Sequence, residues 1–497
     1  MTKAVLGVDV GTSSTKGVLV ALDGTILASA VRQHEVDRPR VGQVEMDATI
    51  WWDEFQSIAA ELGHTDAEII AIGVSGMGPC ALLTDKGDSP LRPAILYGVD
   101  TRATAQIARL AAELGEDVIL ERCGSALTSQ AVGPKLAWVA ENEPDTWARA
   151  ERLYMPSSYL VQKLAGVYIL DQHSASQCTP LYDAHSQEWI PEWAERIAPG
   201  LQLPPLVWPG EIVGTTEYPI GAIPAGIPVV AGTIDAWTES ISVDATHPGD
   251  LMLMYGTTMF LIATVDTPIT DRSMWGTTGA FPGTHNLAGG LATSGAITAW
   301  IRRLVGDVDF PTLLAEAEAS PPGANGLIVL PYFAGERTPI LDPDARGVVA
   351  GLTLSHTRGD IYRAALEGIA LAVRHNIETM RAAGARIDRI IAVGGGTQGG
   401  LWTQIVSDVT GCEQLIPSVT IGASLGAAML AAAAVAPVDI ATWNPVIETV
   451  LPEPVARAAY DLIYPLYRRL YSSTSEVIHD LVRITADVRE EQERILQ

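Results

Sequence analysis

Basic residues are scarce in this chain: 32 Lys and Arg stand against 58 Asp and Glu, a formal net charge of -26 at pH 7. A surface with that balance repels nucleic acid and anionic membrane, so neither is an expected partner, and an anionic substrate must meet locally placed cations. Cysteine is also sparse. Cys80, Cys123, Cys178 and Cys412 form no CxxC pair and have no histidine at metal-ligand spacing, which excludes a disulfide framework and a zinc site and predicts free thiols in a reducing compartment. No long hydrophobic run is present. The longest apolar stretch, Leu425 to Ala436, is alanine-rich, stops at Pro437 and reads as a buried helix too short to span a bilayer. The first residues lack the basic and apolar regions of a secretory signal, so a cytoplasmic location is expected. His247, His285, His356 and His375 are dispersed, and neither a Gly-x-Ser-x-Gly elbow nor a Walker lysine motif occurs, which disfavours hydrolase and P-loop chemistry.

What the chain has is length and apolar content. Its 497 residues, 47% hydrophobic, with 46 Gly and 31 Pro, describe a well-buried protein of more than one domain with many tight connections. Ile69 to Ser75 and Pro228 to Ala231 read as short strands, while Trp51 to Leu62 and Ala103 to Leu114 show helical spacing, an alternation that predicts α/β architecture.

The most informative segment is Leu6-Gly7-Val8-Asp9-Val10-Gly11-Thr12-Ser13-Ser14-Thr15-Lys16. It reads as a hairpin whose Gly/Thr/Ser turn can lay N–H groups and hydroxyls against phosphate oxygens, with Asp9 offering a carboxylate to a hydrated divalent cation. An ordinary hairpin with a polar turn would use the same residues. The same grammar returns at Leu251 to Tyr255, Gly256-Thr257-Thr258 and Phe260 to Val265, which predicts two domains on a related plan, 1–242 and 243–497. Beyond Val438 a Pro-rich stretch to Pro454 reads as a connection. Val455 to Gln497 reads as a long amphipathic helical region with an acidic tail, Asp487 to Glu493.

Two further turns bear on chemistry. In Gly232-Thr233-Ile234-Asp235-Ala236 a strand ends by presenting one carboxylate, suited either to accept a hydroxyl proton during phosphoryl transfer or to cap the following helix. Val393-Gly394-Gly395-Gly396-Thr397 precedes a helix near Leu401, where a flat ligand can approach the backbone closely.

The order of these motifs resembles the actin, Hsp70 and hexokinase-type ATPase fold, and within it the FGGY carbohydrate kinases, xylulokinase-like members above all. Gly347-Val348-Val349-Ala350-Gly351-Leu352, then Asp360-Ile361-Tyr362-Arg363-Ala364-Ala365-Leu366-Glu367, matches the second FGGY signature. Lys135-Leu136-Ala137-Trp138-Val139 matches the later half of the first, which departs at Ala131 and Val132. The resemblance spans Val5 to about Ala434. It implies two ribonuclease H-like domains around a central cleft.

Carried onto this chain, the resemblance makes Asp9 a metal-associated aspartate, with Asp235 as catalytic base and second metal-associated carboxylate. It makes Thr12, Ser13 and Lys16 the first phosphate loop, Gly256, Thr257 and Thr258 the second, and sets Gly395 and Gly396 beside the adenosine. Gln404 is left either near the nucleotide or as a packing residue. The sugar is expected at Met77, Gly78, Pro79, Asp100, Asp235 and Ala236. Two departures bear on the sugar: Met77-Gly78-Pro79-Cys80 lacks the usual Gln-Met-His-Gly or Arg-Glu, and Ala236 replaces Asn or Gln. The implied activity is transfer of a phosphoryl group from ATP, with Mg2+, to a terminal hydroxyl of a small sugar such as xylulose. Ribulose, glycerol and erythritol remain alternative substrates, a switch ATPase is the other class, and a homodimer is the expected assembly.

Overall fold

The structure, a computed structural model, describes residues 1–420 and 422–496. The chain forms two compact units that do not follow one cut in the sequence. The first comprises Met1–Pro248, Thr264–Leu287 and Ile421–Pro445, and the second Gly249–Ala263, Ala288–Thr420 and Val446–Gln497.

In the first unit, strand Thr2–Val10 is buried over its last seven residues, as an apolar run covered on both faces should be. It pairs antiparallel with Ser14–Ala21, which pairs antiparallel with Ile26–Gln33, and its other edge pairs parallel with Ala67–Gly76. Pro228–Val230 and then Ile212–Thr215 continue the sheet, and Thr233–Ile234 pairs parallel with the end of Ala67–Gly76. Register puts Lys16, Asp9, Ser75 and Thr233 in one row across four strands. The chemically interesting residues of three distant segments thus meet at one end of the sheet.

A helix at Ala423–Val435 covers this sheet, and it does so at backbone distance. A Cβ on Gly7 would stand 2.0 Å from Ser424 O, one on Gly73 1.9 Å from Ala427 O, and one on Gly426 1.8 Å from Thr238 O. Gly7 and Gly73 are register partners, so together they form the flat patch that the helix needs. This explains why the segment 421–445 clusters with the first unit although it lies far along the chain. The helix is buried from Ser424 to Ala432, as its uniformly apolar sequence predicts.

The second unit repeats the plan. Asp250–Tyr255 and Met259–Val265 form an antiparallel hairpin, Arg389–Val393 runs parallel to the first of them, and Gln414–Pro417 and Val446–Val450 follow. Val446–Val450 corrects the expectation of a connection from Val438 to Pro454. It is an edge strand exposed at four of its five residues, so its apolar content gave no alternating signal, and a short helix, Ile440–Trp443, precedes it. The C-terminal helix spans Pro454–Leu496 and contains Pro465. Tyr460 donates to Glu367 Oε1 at 2.8 Å and Tyr471 to Asp342 Oδ2 at 2.8 Å, which docks its first half. Apart from Val488, the side chains of the acidic tail Asp487 to Glu493 lie outside those described. Among the described residues no helix is long and apolar enough to cross a membrane.

Gly73→Ala should lower stability by about 2 kcal/mol, because the added methyl group meets a carbonyl that cannot retreat without moving the whole helix. The check is the urea midpoint of the variant against the parent chain, and an unchanged midpoint would show that the helix can shift freely.

Candidate active site

Strand Thr2–Val10 carries Asp9 to the end of the sheet, where the turn Gly11-Thr12-Ser13 begins. The Gly11 N–H donates to Ser14 O at 3.0 Å, which closes the turn tightly. Two residues not singled out from the sequence brace it: the His34 imidazole lies 3.0 Å from Gly11 O and 2.9 Å from Glu54 Oε2. Thr12 Oγ1 lies 3.0 Å from the Tyr97 hydroxyl, and Ser13 is exposed.

Asp235 is the first residue of helix Asp235–Ser242, one position beyond the capping residue Ile234. Its Oδ1 accepts the Ala236 N–H at 2.8 Å, and among the described residues Oδ2 has no hydrogen-bond partner. The carboxylate therefore does not act as the helix cap. The chain reaches it through Gly232, where a Cβ would stand 1.9 Å from Val74 O, so only glycine lets the strand pass that close.

Glu239 lies one turn further along the same helix, buried, with Oε2 accepting the Gly422 N–H at 2.8 Å. It was not among the expected site residues, although its i+4 spacing from Asp235 puts both carboxylates on one helix face and is legible in the sequence. Asp9, also buried, accepts the Ser75 hydroxyl at 2.8 Å.

The three carboxylates feel one another. Burial, the dominant cause, raises Asp9 above the ordinary range against the opposing effects of Ser75 and Lys16. Asp235 is raised by burial and then by the negative charge of Asp9. Glu239 is pushed up to about 7, again by burial first, with Asp9 adding to it. Lys16 is the cation facing Asp9 and Glu239. One lysine against buried Asp9 and Glu239 and half-buried Asp235 leaves an excess of negative charge that a divalent cation can relieve. Among the described residues no three ligand side chains are gathered into a ready-made metal cage.

The segment expected to meet the sugar lies beside this cluster. The Met77 N–H donates to Val10 O at 2.7 Å, the Gly78–Pro79 bond is cis, and a Cβ on Gly78 would stand 2.7 Å from the Ile234 side chain. Met77, Pro79 and Cys80 are buried and Ala236 is half-buried. Asp100 is differently employed. Its Oδ2 accepts from Val44 N at 2.7 Å and Arg102 at 2.7 Å, and its Oδ1 from Arg102 N and Nε, so no lone pair is left over. It holds Arg102, which lies over the Trp138 ring at 4.9 Å. Lys135 is buried, with Nζ unpartnered and its proton affinity lowered to about 8 by burial.

In the second unit, Gly256 N–H donates to Thr258 O, and the loop's carbonyls accept from the start of the helix Gly295–Leu304 and its capping residue: Ser294 N to Thr257 O at 3.0 Å and Gly295 N to Gly256 O at 3.0 Å. This leaves Thr257 and Thr258 exposed. At Gly394, with φ 93°, a Cβ would stand 2.5 Å from Tyr255 O, and at Gly396 one would meet the Trp402 ring at 2.8 Å. A Cβ on Gly395 would meet nothing within 4 Å. Gln404 donates through Nε2 to Asp408 Oδ1 at 2.8 Å and Leu451 O at 2.9 Å, so both of its amide N–H groups are held within the second unit. All four cysteines are free thiols.

Comparison with known proteins gives the same direction. The N-terminal domain of the FGGY family of carbohydrate kinases matches residues 4–241, and the C-terminal domain of that family matches residues 251–435. The chain is 28% identical over 479 residues to the xylulose kinase of Escherichia coli (strain K12), covering 94% of this chain and 98% of the other. It is 31% identical over 459 residues to the glycerol kinase of Nocardia farcinica (strain IFM 10152), covering 88% and 91%. The crystal structure of xylulose kinase from Rhodospirillum rubrum is similar with a TM-score of 0.90 at 30% identity, over 96% of this chain and 100% of that one. The two-domain actin- and hexokinase-like α/β fold expected from the sequence is the fold of these structures.

The raised carboxylates set a pH dependence. A carboxyl group whose proton affinity is higher folded than unfolded stabilises the fold at low pH, and that stability is lost as pH rises through its folded value. For Glu239 the window runs from 4.5 to about 7. In EDTA, Glu239→Gln should therefore gain on the parent chain as pH rises from 5 to 8, by about 2 kcal/mol at most. Thermal unfolding at the two pH values checks this, and a difference independent of pH would remove Glu239 from the cluster.

Proposed function

Because the chain belongs to the FGGY family of carbohydrate kinases and is a carbohydrate kinase acting on a small-molecule sugar, we propose that Asp235 is the base that accepts the hydroxyl proton as that oxygen bonds to the γ-phosphorus of ATP. The observation that carries this reading is the grouping of buried Asp9 and Glu239 with half-buried Asp235 at the end of one sheet. A proton acceptor works best when its affinity approaches the working pH, and burial together with the Asp9 charge moves Asp235 in that direction. Its unpartnered Oδ2 leaves a lone pair for the proton.

FGGY kinases use ATP. In the first unit Thr12, Ser13 and Lys16 offer hydroxyls and a cation suited to phosphate oxygens; in the second, Thr257 and Thr258 present exposed hydroxyls of the same kind and Gly395 leaves backbone open for an adenosine. Asp9 and Asp235 would hold a hydrated Mg2+, which neutralises phosphate charge when bound. Asp100 is better read as a packing residue, since both of its carboxylate oxygens are engaged, and Gln404 likewise holds the second unit together through both of its amide N–H groups. We place the sequence division of the two domains at residues 242 and 243, the enzyme in the cytoplasm and, as its assembly, a homodimer.

The proposed substrate is a ketopentose such as xylulose, with ribulose, glycerol and erythritol as the competing choices. Of the residues expected at the sugar, half-buried Ala236 and the buried Met77 and Pro79 behind the site are apolar where a polar contact to a sugar hydroxyl would otherwise lie, and such a loss changes which polyol fits. A switch ATPase is disfavoured, because the two kinase domains account for most of the chain.

Asp235→Asn should lower kcat by about 1,000-fold while leaving nucleotide affinity within about twofold. Coupled ADP production and a nucleotide-binding titration read the two quantities separately, and retained turnover would refute the assignment. In a panel of D-xylulose, L-xylulose, D-ribulose, L-ribulose, glycerol and erythritol with Mg-ATP, one ketopentose should stimulate ADP release strongly. Equal slow release in every well, including the well without sugar, would overturn the ketopentose reading.

A further inference from the structure

The first unit holds a second cleft, apart from the site around Asp235. Its volume is about 450 Å³, the size of a small-ligand pocket, and its lining includes no member of the carboxylate cluster, the phosphate turn or the positions expected at the sugar. Three arginines line it, Arg40, Arg92 and Arg102, in a chain whose net charge is -26. The side chains of Arg92 and Arg102 are 7% and 2% exposed. Both donate to Glu45 Oε1, Arg92 also donates through Nε to Glu143 Oε2 at 2.9 Å, and the rest of the Arg102 guanidinium is taken by Asp100. Arg92 Nη1, by contrast, is buried and has no hydrogen-bond partner among the described residues. Arg40 is exposed, and among the described residues its guanidinium pairs with no carboxylate.

The acceptors in the cleft are half used as well. Glu45 spends Oε1 on both guanidinium groups and Glu143 spends Oε2 on Arg92, while Glu45 Oε2 and Glu143 Oε1 accept from no group among the described residues. Pro39, Pro93 and half-exposed Trp138, whose ring lies 4.9 Å from the Arg102 guanidinium, supply the apolar surface. These groups narrow the ligand class. A guanidinium N–H that has left water without an acceptor costs stability that an incoming anion restores. A bare anion, however, meets two carboxylates, and a neutral sugar leaves Arg92 Nη1 and Arg40 unanswered. A ligand with an anionic end, hydroxyl donors and a C–H face satisfies all of them.

We propose that this cleft binds a sugar phosphate. Its phosphate accepts from Arg92 Nη1 and pairs with Arg40, its hydroxyls donate to Glu45 Oε2 and Glu143 Oε1, and its C–H face lies against Trp138. A carbohydrate kinase makes a compound of this class, so the cleft gives the product a second place to bind, away from the reacting groups. The inference depends neither on the role of Asp235 nor on which sugar is phosphorylated, so it fails separately from both.

Isothermal titration calorimetry on the full chain tests this, with Mg-ADP saturating the nucleotide site and D-ribose 5-phosphate, D-ribose and inorganic phosphate as probes. D-Ribose 5-phosphate should bind with a Kd of about 1 mM or below, and the other two about tenfold more weakly or worse. Arg40→Glu should weaken D-ribose 5-phosphate by about tenfold or more, and Arg40→Lys should keep most of the affinity. A sugar phosphate held at the reacting groups instead is indifferent to both changes. Arg40 is exposed, so an unchanged thermal midpoint confirms that the variants fold, and sugar-stimulated ADP production in the same samples should stay within about twofold of the parent chain. Absence of binding, D-ribose or inorganic phosphate binding as tightly as the sugar phosphate, or an affinity unmoved by Arg40→Glu overturns the proposal.

Discussion

Helix Ala423–Val435 reaches the first sheet at backbone distance, and the positions of the three carboxylates depend on that approach. Gly7 and Gly73 give the helix a flat seat, Gly426 lets it touch the Asp235 helix at Thr238 O, and Gly232 lets the chain leading to Asp235 cross Val74. The amide of Gly422, just before the helix, donates to Glu239. A side chain at any of these glycines would push one layer outward and separate groups that act on one another only at short range.

That closeness has an electrostatic cost, and the cost is the useful property. Three carboxylates held in low dielectric raise one another's proton affinity, and Lys16 and Ser75 offset only part of it. A site poised in this way takes up a proton or a cation readily. The loops bordering it are held differently: His34 and Glu54 brace the phosphate turn, and the cis bond before Pro79 and the contact with Ile234 fix the segment expected beside the sugar. The second unit uses the same hairpin and parallel strand but presents threonine hydroxyls and open backbone, with no carboxylate at the position equivalent to Asp9, where Met254 stands.

Much of this was legible in advance. Asp9, the Gly11 to Ser13 turn, Asp235 and the Gly394 to Gly396 turn are local features, each written into a few adjacent residues, and each lies where its pattern puts it. Glu239 was legible in principle through its i+4 spacing but is silent as a motif. His34 and Glu54 were not, because their contact with Gly11 depends on the pairing of separate strands and helices. Asp100 and Gln404 show the converse: a matching residue type says nothing about whether its polar atoms are already engaged by Arg102, Val44 or Leu451.

From the sequence alone come the α/β class and two units on a related plan, and from its resemblance to a known family come the kinase reading and the roles proposed for Asp9 and Asp235. The first two follow from short-range patterns of turn residues and apolar spacing, and the others from motifs that match the family's signatures. Tertiary structure decided that residues 421–445 return to the first unit, that Val446–Val450 is an edge strand, and that Glu239 joins Asp9 and Asp235. It decided these because strand register and helix seating are set by packing between segments hundreds of residues apart, where one missing Cβ determines how close two backbones can come.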